Sequence, residues 1–149
     1  SYWQPENINN VTRYGFSGYL AQNNRYFNTK ISFGITESYY GKDKKRLRYT
    51  PQNIGSIFFE KSIKNFTLTS DTHYISEMIS AYSYPKNNII PKSSITSIHL
   101  KQKIKYNRFD LIFVASANNV FDKRYESSKG YPEPRKNFTT KITINQKRK

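Results

Sequence analysis

Apolar and polar residues alternate at every second position through most of this chain, the period of a β-strand whose two faces differ chemically. From 27 to 39 the odd positions read Phe27, Thr29, Ile31, Phe33, Ile35, Glu37 and Tyr39, against Asn28, Lys30, Ser32, Gly34, Thr36 and Ser38 at the even ones. From 97 to 106, Ile98, Leu100, Gln102, Ile104 and Tyr106 alternate with Ser97, His99, Lys101, Lys103 and Lys105. Tyr14, Phe16, Gly18 and Leu20 repeat the pattern near the start, and Phe138, Thr140, Ile142 and Ile144 near the end. Weaker alternation runs through Phe66, Leu68, Ser70, Thr72 and Tyr74, and the stretch from Phe109 to Ala117 is apolar on both sides apart from Asp110 and Ser116. The pattern predicts an all-β chain with seven strands, at 11–22, 25–39, 53–62, 66–77, 94–106, 108–119 and 137–146, and the end of an eighth at Ser1 to Trp3.

The connections alternate in length. Asn23-Asn24, Ile63-Lys64-Asn65 and Asn107-Arg108 read as tight turns in which Asn tolerates positive φ, whereas 40–52, 78–93 and 120–136 are long. Short turns therefore fall at one end of an antiparallel up-and-down meander and long loops at the other, the asymmetry of an outer-membrane β-barrel. Soluble sandwiches and lipocalin-like barrels share the dyad pattern. Strand length favours the membrane class, because a crossing strand needs about 9 to 11 residues and a usual soluble strand has about 5 or 6. Tyr14, Tyr26, Tyr39, Tyr40, Phe66, Tyr74, Tyr106, Phe109 and Phe138 stand at strand ends, where interfacial girdles would place them.

Composition narrows the chemistry. The 149 residues carry 25 Lys+Arg against 10 Asp+Glu, a net charge of +15, with no Cys and two His. Disulfides and thiolate zinc sites are excluded, and His73 and His99 are too far apart in sequence to suggest a metal site. With 13 Tyr and 10 Phe the chain is too rich in rings for a disordered tail. No Ser-His-Asp arrangement, glycine-rich phosphate loop or paired carboxylates near a histidine can be read from the order of residues, so neither enzyme activity nor a cofactor is expected.

Two segments carry a family likeness. Asn118-Asn119-Val120-Phe121-Asp122-Lys123-Arg124-Tyr125-Glu126, followed by Gly130-Tyr131-Pro132-Glu133-Pro134-Arg135-Lys136-Asn137-Phe138, resembles the C-terminal signature of TonB-dependent outer-membrane receptors. In that family an N-[LV]-F-D-x-x-Y segment ends the penultimate strand and a G-Y-P-x-P-[GR]-R-x-F-like segment leads into the last. Arg48-Tyr49-Thr50-Pro51-Gln52 is similar to another strand-leading segment of the family, and so, more loosely, are Trp3 to Ile8 and Arg13 to Phe16, with Ser17 where Glu is common. The chain departs from the family in ending Gln146-Lys147-Arg148-Lys149 rather than on an aromatic residue, and it shows no plug domain.

The resemblance implies a bacterial outer-membrane location and about one third of a plugged 22-stranded wall. It favours a C-terminal fragment, over a wall completed by another polypeptide or eight strands closing into a small barrel, and a parent that takes up a ferric siderophore, cobalamin or similar scarce nutrient with energy from the TonB system. The implied partners are outer-membrane lipid and lipopolysaccharide, the rest of the barrel and its plug, and the TonB complex, with no nucleic acid. It assigns Asn119, Phe121, Asp122, Tyr125, Gly130, Tyr131, Pro132, Arg135 and Phe138 to the structural signature.

Candidate ligand contacts in external loops are Arg46 and Arg48, in a basic stretch with Lys42, Lys44 and Lys45, and Tyr82 and Tyr84 beside Pro85. The basic stretch reads either as a solvated or lipopolysaccharide-contacting loop or as electrostatic capture of an anionic ligand. The tyrosines either stack on a ligand or pack on neighbouring loops. Lys101, Lys103, Lys105 and Lys141 are expected to face water, since each would cost about 2 to 4 kcal/mol against lipid near the midplane. The alternative from another class is a soluble basic β-sheet protein that binds polyanions or RNA, with rings as stacking platforms and lysines as phosphate partners.

Overall fold

The computed structural model describes residues 10–83 and 86–146. In chain order the strands are β1 (Val11–Asn23), β2 (Asn28–Tyr40), β3 (Lys45–Arg46), β4 (Asn53–Ile63), β5 (Phe66–Ile75), β6 (Met78–Ala81), β7 (Asn88–Ile90), β8 (Ser93–Tyr106), β9 (Phe109–Asn118), β10 (Glu126–Ser128), β11 (Tyr131–Pro132) and β12 (Asn137–Gln146). Among the described residues there is no helix.

Seven long strands form one antiparallel meander in the order β1-β2-β4-β5-β8-β9-β12, and β3 pairs with the end of β2. These are the seven strands that two-residue alternation predicts, with ends moved by a few residues. The predicted second strand starts too early: Arg25 to Phe27 belong to a turn in which the Asn24 Oδ1 accepts from the N–H groups of Tyr26 at 2.8 Å and Phe27 at 2.9 Å. In the next turn Lys64, not Asn65, takes the positive φ of 53°, whereas Asn107 takes it in the third at 45°. Ser76 and Glu77 fall outside β5, and the second and third long loops contain the small hairpins β6–β7 and β10–β11. The Ser1 to Trp3 strand lies outside the described residues.

Registers settle which side chains share a face, because directly paired residues in an antiparallel ladder point the same way. One face carries Tyr14, Phe16 and Leu20 of β1 opposite Glu37, Ile35 and Ile31 of β2, then Ile57 and Phe59 of β4, Leu68 and Tyr74 of β5, Ile98, Leu100 and Ile104 of β8, Leu111 and Phe113 of β9, and Ile142 and Ile144 of β12. The other carries Arg13, Lys30, Glu60, Asp71, His73, His99, Lys101, Lys103, Lys105, Asp110 and Lys141. Of the charged groups in the seven strands, only Glu37 and Lys61 lie on the apolar face, each near a strand end. Tyr40 is on the polar face, where its ring packs 6.5 Å from that of Tyr82, so it is no part of a girdle.

Among the described residues no second layer covers the apolar face. Leu20 is 74% exposed, Phe16 66% and Ile142 64%. The chain's accessible surface of 12187 Å² is about one and a half times the roughly 7,900 Å² expected of a compact 17.6 kDa monomer. Among the described residues the buried apolar side chains are Met78 and Ile90, and both belong to the second long loop.

The sheet is also strongly staggered. The ladder row through Asn23, at the end of β1, crosses β12 at Thr139, seven residues short of its end at Gln146, after six strand steps. With about 3.3 Å per residue and about 4.8 Å between strands, such a stagger leans the strands by roughly 40°, within the range of closed barrels. Six antiparallel steps leave β1 and β12 running in the same direction, each with one edge unpaired among the described residues. Closing this sheet on itself would require a parallel pair in an otherwise antiparallel wall.

Candidate functional site: the looped rim and the polar wall

All three long loops leave the same end of the sheet and are tied to one another. The first, 41–52, folds back as β3 on β2 and is held by the Leu47 N–H donating to the Ser38 carbonyl at 2.7 Å and the Thr36 N–H to the Gln52 carbonyl at 2.7 Å. The second, 76–92, is the hairpin β6–β7, with Ile90 1% exposed and the Ser80 hydroxyl donating to the Asn88 carbonyl at 3.1 Å. The Tyr49 N–H donates to the Ile79 carbonyl at 2.9 Å, and the Tyr82 hydroxyl donates to the Arg46 carbonyl at 2.6 Å. Burial first, and the Tyr40 hydroxyl second, push the Tyr82 phenol above its ordinary range, against the pull of Arg46.

Arg46 and Tyr82 are therefore brought together, but through the Arg46 backbone: the tyrosine is a strut between loops. The Lys45 ammonium lies 6.0 Å from the Tyr82 ring centre. Arg48 contributes its carbonyl to the Thr50 hydroxyl at 3.3 Å. Tyr84 lies outside the described residues.

The third loop, 119–136, is built around two side chains of the signature. Asn119, 2% exposed with φ of 50°, accepts from the Lys123 N–H at 2.9 Å and donates its amide to the carbonyls of Lys123 at 2.8 Å and Pro134 at 3.4 Å. Asp122, with φ of 53°, accepts from the Arg135 Nε at 2.9 Å, from the Arg135 Nη2, and from the Lys136 N–H at 3.1 Å. The Arg135 guanidinium, and after it the Lys136 N–H, hold the Asp122 carboxyl below the usual carboxylate range. Gly130, at φ of 82°, closes the β10–β11 hairpin and donates its N–H to the Glu126 Oε2 at 3.1 Å. Pro132 pairs with Glu126 in that hairpin, and Tyr125 is partly buried beside it, which raises its phenol pKa. Phe121, Tyr131 and Phe138 are exposed. These residues thus divide into a clasp that shapes the loop, two exposed rings on it, Phe121 and Tyr131, and a third, Phe138, on β12.

The polar wall holds an arrangement that residue order conceals. Asp71, His99 and Ser116 come from three adjacent strands, β5, β8 and β9, yet form one hydrogen-bonded row: the Asp71 Oδ1 is 3.0 Å from the His99 Nε2, and the His99 Nδ1 is 2.8 Å from the Ser116 Oγ. Residue order shows no Ser-His-Asp arrangement, yet the fold assembles one. His99 pairs with Ser116 in the ladder and lies diagonal to Asp71, a proximity only register could reveal. His73 adds a second imidazole to the same carboxylate at 3.4 Å, and Lys103 meets Asp110 at 3.1 Å. The row has the parts of a nucleophile, base and orienting acid, and its His99 and Ser116 stand on the interior strands β8 and β9, whose N–H groups serve the ladders. It links side chains of three adjacent strands on the polar face.

Compared with protein-family models and with curated proteins, the sequence matches none.

Proposed function

We propose that this chain is part of the wall of a bacterial outer-membrane β-barrel, similar to the C-terminal portion of a TonB-dependent receptor, whose parent admits a scarce nutrient such as a ferric siderophore or cobalamin. One observation carries the reading: apart from Glu37 and Lys61, the charged groups are sorted onto one face of a sheet whose opposite, apolar face has no protein cover among the described residues. In water such a face would demand a second layer. In a bilayer it is the surface that lipid covers, and the polar face lines the interior.

Dimensions agree. On β5 the apolar face runs from Phe66 to Tyr74, eight residues or about 27 Å along the strand, which a lean of roughly 40° reduces to about 20 Å, close to the apolar band of about 25 Å. Rings stand at both ends of that face, Tyr14, Tyr39 and Phe138 toward the loops and Phe27, Tyr106 and Phe109 toward the turns. The free edges of β1 and β12 would be met by further antiparallel strands of the same wall, because unpaired backbone groups cost several kcal/mol each in hydrocarbon. The polyanion-binding alternative asks for rings and lysines on one surface. Apart from Lys30 over the Tyr19 ring at 4.8 Å, the ladders put the lysine row of β8 and most of the sheet's rings on opposite faces.

The absence of cysteine makes single-cysteine labelling clean. With the chain in lipid vesicles, a fluorophore at Ile98→Cys is expected to be quenched by bromine-labelled lipid and one at His99→Cys by aqueous iodide. Equal aqueous quenching at both positions, with a detergent-free monodisperse monomer, would overturn the reading.

A further inference from the structure

We propose that the cavity between the second and third long loops is a binding site for a small anion with a flat apolar body, of the kind an aryl phosphate represents. The cavity measures about 490 Å³ and lies where β7 and β10 meet, with Pro91 and Lys92 on one side and Arg124, Tyr125, Lys129 and Pro132 on the other. That volume is within the usual range for small-ligand sites, about 300 to 1,000 Å³.

Charge identifies the class. Lys92, Arg124 and Lys129 converge on the cavity, and among the described residues none of them has a hydrogen-bond or ion-pair partner. Arg135, which also lines it, is held by Asp122. The two carboxylates in the lining are engaged as well, Glu126 by the Gly130 N–H at 3.1 Å and Glu133 by the Ser127 hydroxyl. With Arg135 neutralised by Asp122, three cations against two carboxylates leave a formal surplus of one positive charge, which favours an anion. The apolar part of the lining is Pro91, Pro132 and the Tyr125 ring, flat-sided groups against which a ring can pack.

The backbone of the walls is set before a ligand arrives. Ile90 is buried next to Pro91, and the Asn119 and Asp122 clasps fix both ends of the third loop, so the ordering that opposes binding falls on the cationic side chains rather than on the backbone. The cavity is distinct from the Arg46–Tyr82 strut, whose hydroxyl is already spent on a carbonyl. The inference rests on rim geometry rather than on the membrane reading, and either can fail alone.

The test is a titration of the full chain in detergent micelles with phenyl phosphate, followed by calorimetry. Saturable binding of one equivalent is expected, at least about tenfold tighter than inorganic phosphate or phenol and weakened by at least about tenfold in Lys92→Gln/Arg124→Gln/Lys129→Gln. A second variant, Lys42→Gln/Lys44→Gln/Lys45→Gln, removes the same charge from the first loop and is expected to bind as the parent does. Vesicles containing lipid A separate a headgroup phosphate from a soluble one: competition by the vesicles would show that a membrane lipid reaches the same site. Absence of saturable binding, or equal weakening by the two triple variants, would overturn the proposal.

Discussion

In the seven-stranded sheet, large apolar side chains lie open while the backbone is satisfied strand by strand, whereas in the looped rim the few buried side chains sit among hydrogen bonds that cross from loop to loop. Phe16 and Leu20 are mostly exposed on the sheet; Ile90 and Asn119 are almost wholly buried in the rim. The contrast reverses the usual order, in which elements hold the core and loops the exposed surface. It teaches that the sheet relies on its ladders and on whatever covers the apolar face, and that the rim is the part that packs against itself.

The sharpest way to break that contrast is to charge the open face. Leu100→Arg is expected to lose about 2 to 4 kcal/mol of stability in vesicles, while Lys101→Ala, one residue along and on the other face, stays within about 1 kcal/mol. Denaturant unfolding from lipid vesicles measures both. Equal, small effects would place Leu100 in water, since at 45% exposure an ordinary surface leucine would tolerate the change.

In the rim, Asn119→Ala removes three hydrogen bonds from a buried amide and is expected to cost about 2 to 3 kcal/mol, read as faster amide exchange at Lys123 with the strand amides of β4 and β5 unaffected. Gly130→Ala places a Cβ at a φ of 82° and is expected to cost about 1 kcal/mol, confined to the β10–β11 hairpin. Nothing lies within 4 Å of the added carbon, so the backbone alone sets that cost.

The most local effect is a pH dependence. Because the Asp122 carboxyl is depressed by Arg135 and Lys136, its contribution is fully present above the ordinary carboxylate range and is lost as pH falls through its lowered pKa. Amide protection at Lys136 should therefore weaken on acidification, and in Asp122→Asn it should be low at every pH. Protection that falls with pH in the asparagine variant would mean another group is responsible.

The strands were legible because alternation is a local property: a residue's face follows from its neighbours two positions away, and the seven runs needed no knowledge of partners. The turn at Lys64 and the early end of β5 were not, since a lysine at positive φ is a demand of closure between β4 and β5 rather than of its own preference. Of the candidate residues, Asn119, Asp122 and Arg135 converge as one clasp although they span 17 positions in the chain. Arg46 and Tyr82 meet, but by a carbonyl that no sequence pattern marks.

The row of Asp71, His99 and Ser116 and the cavity beside Tyr125 were invisible in the order of residues. By itself, then, the sequence determined a two-faced antiparallel meander with long loops at one end, because a period of two and the placing of Asn, Gly and Pro act over a few residues. Tertiary structure decided how far each strand slides against the next. That slide sets the lean of the sheet, aligns three polar side chains from separate strands and gathers four cations around one hollow, since such juxtapositions depend on register summed across many ladders.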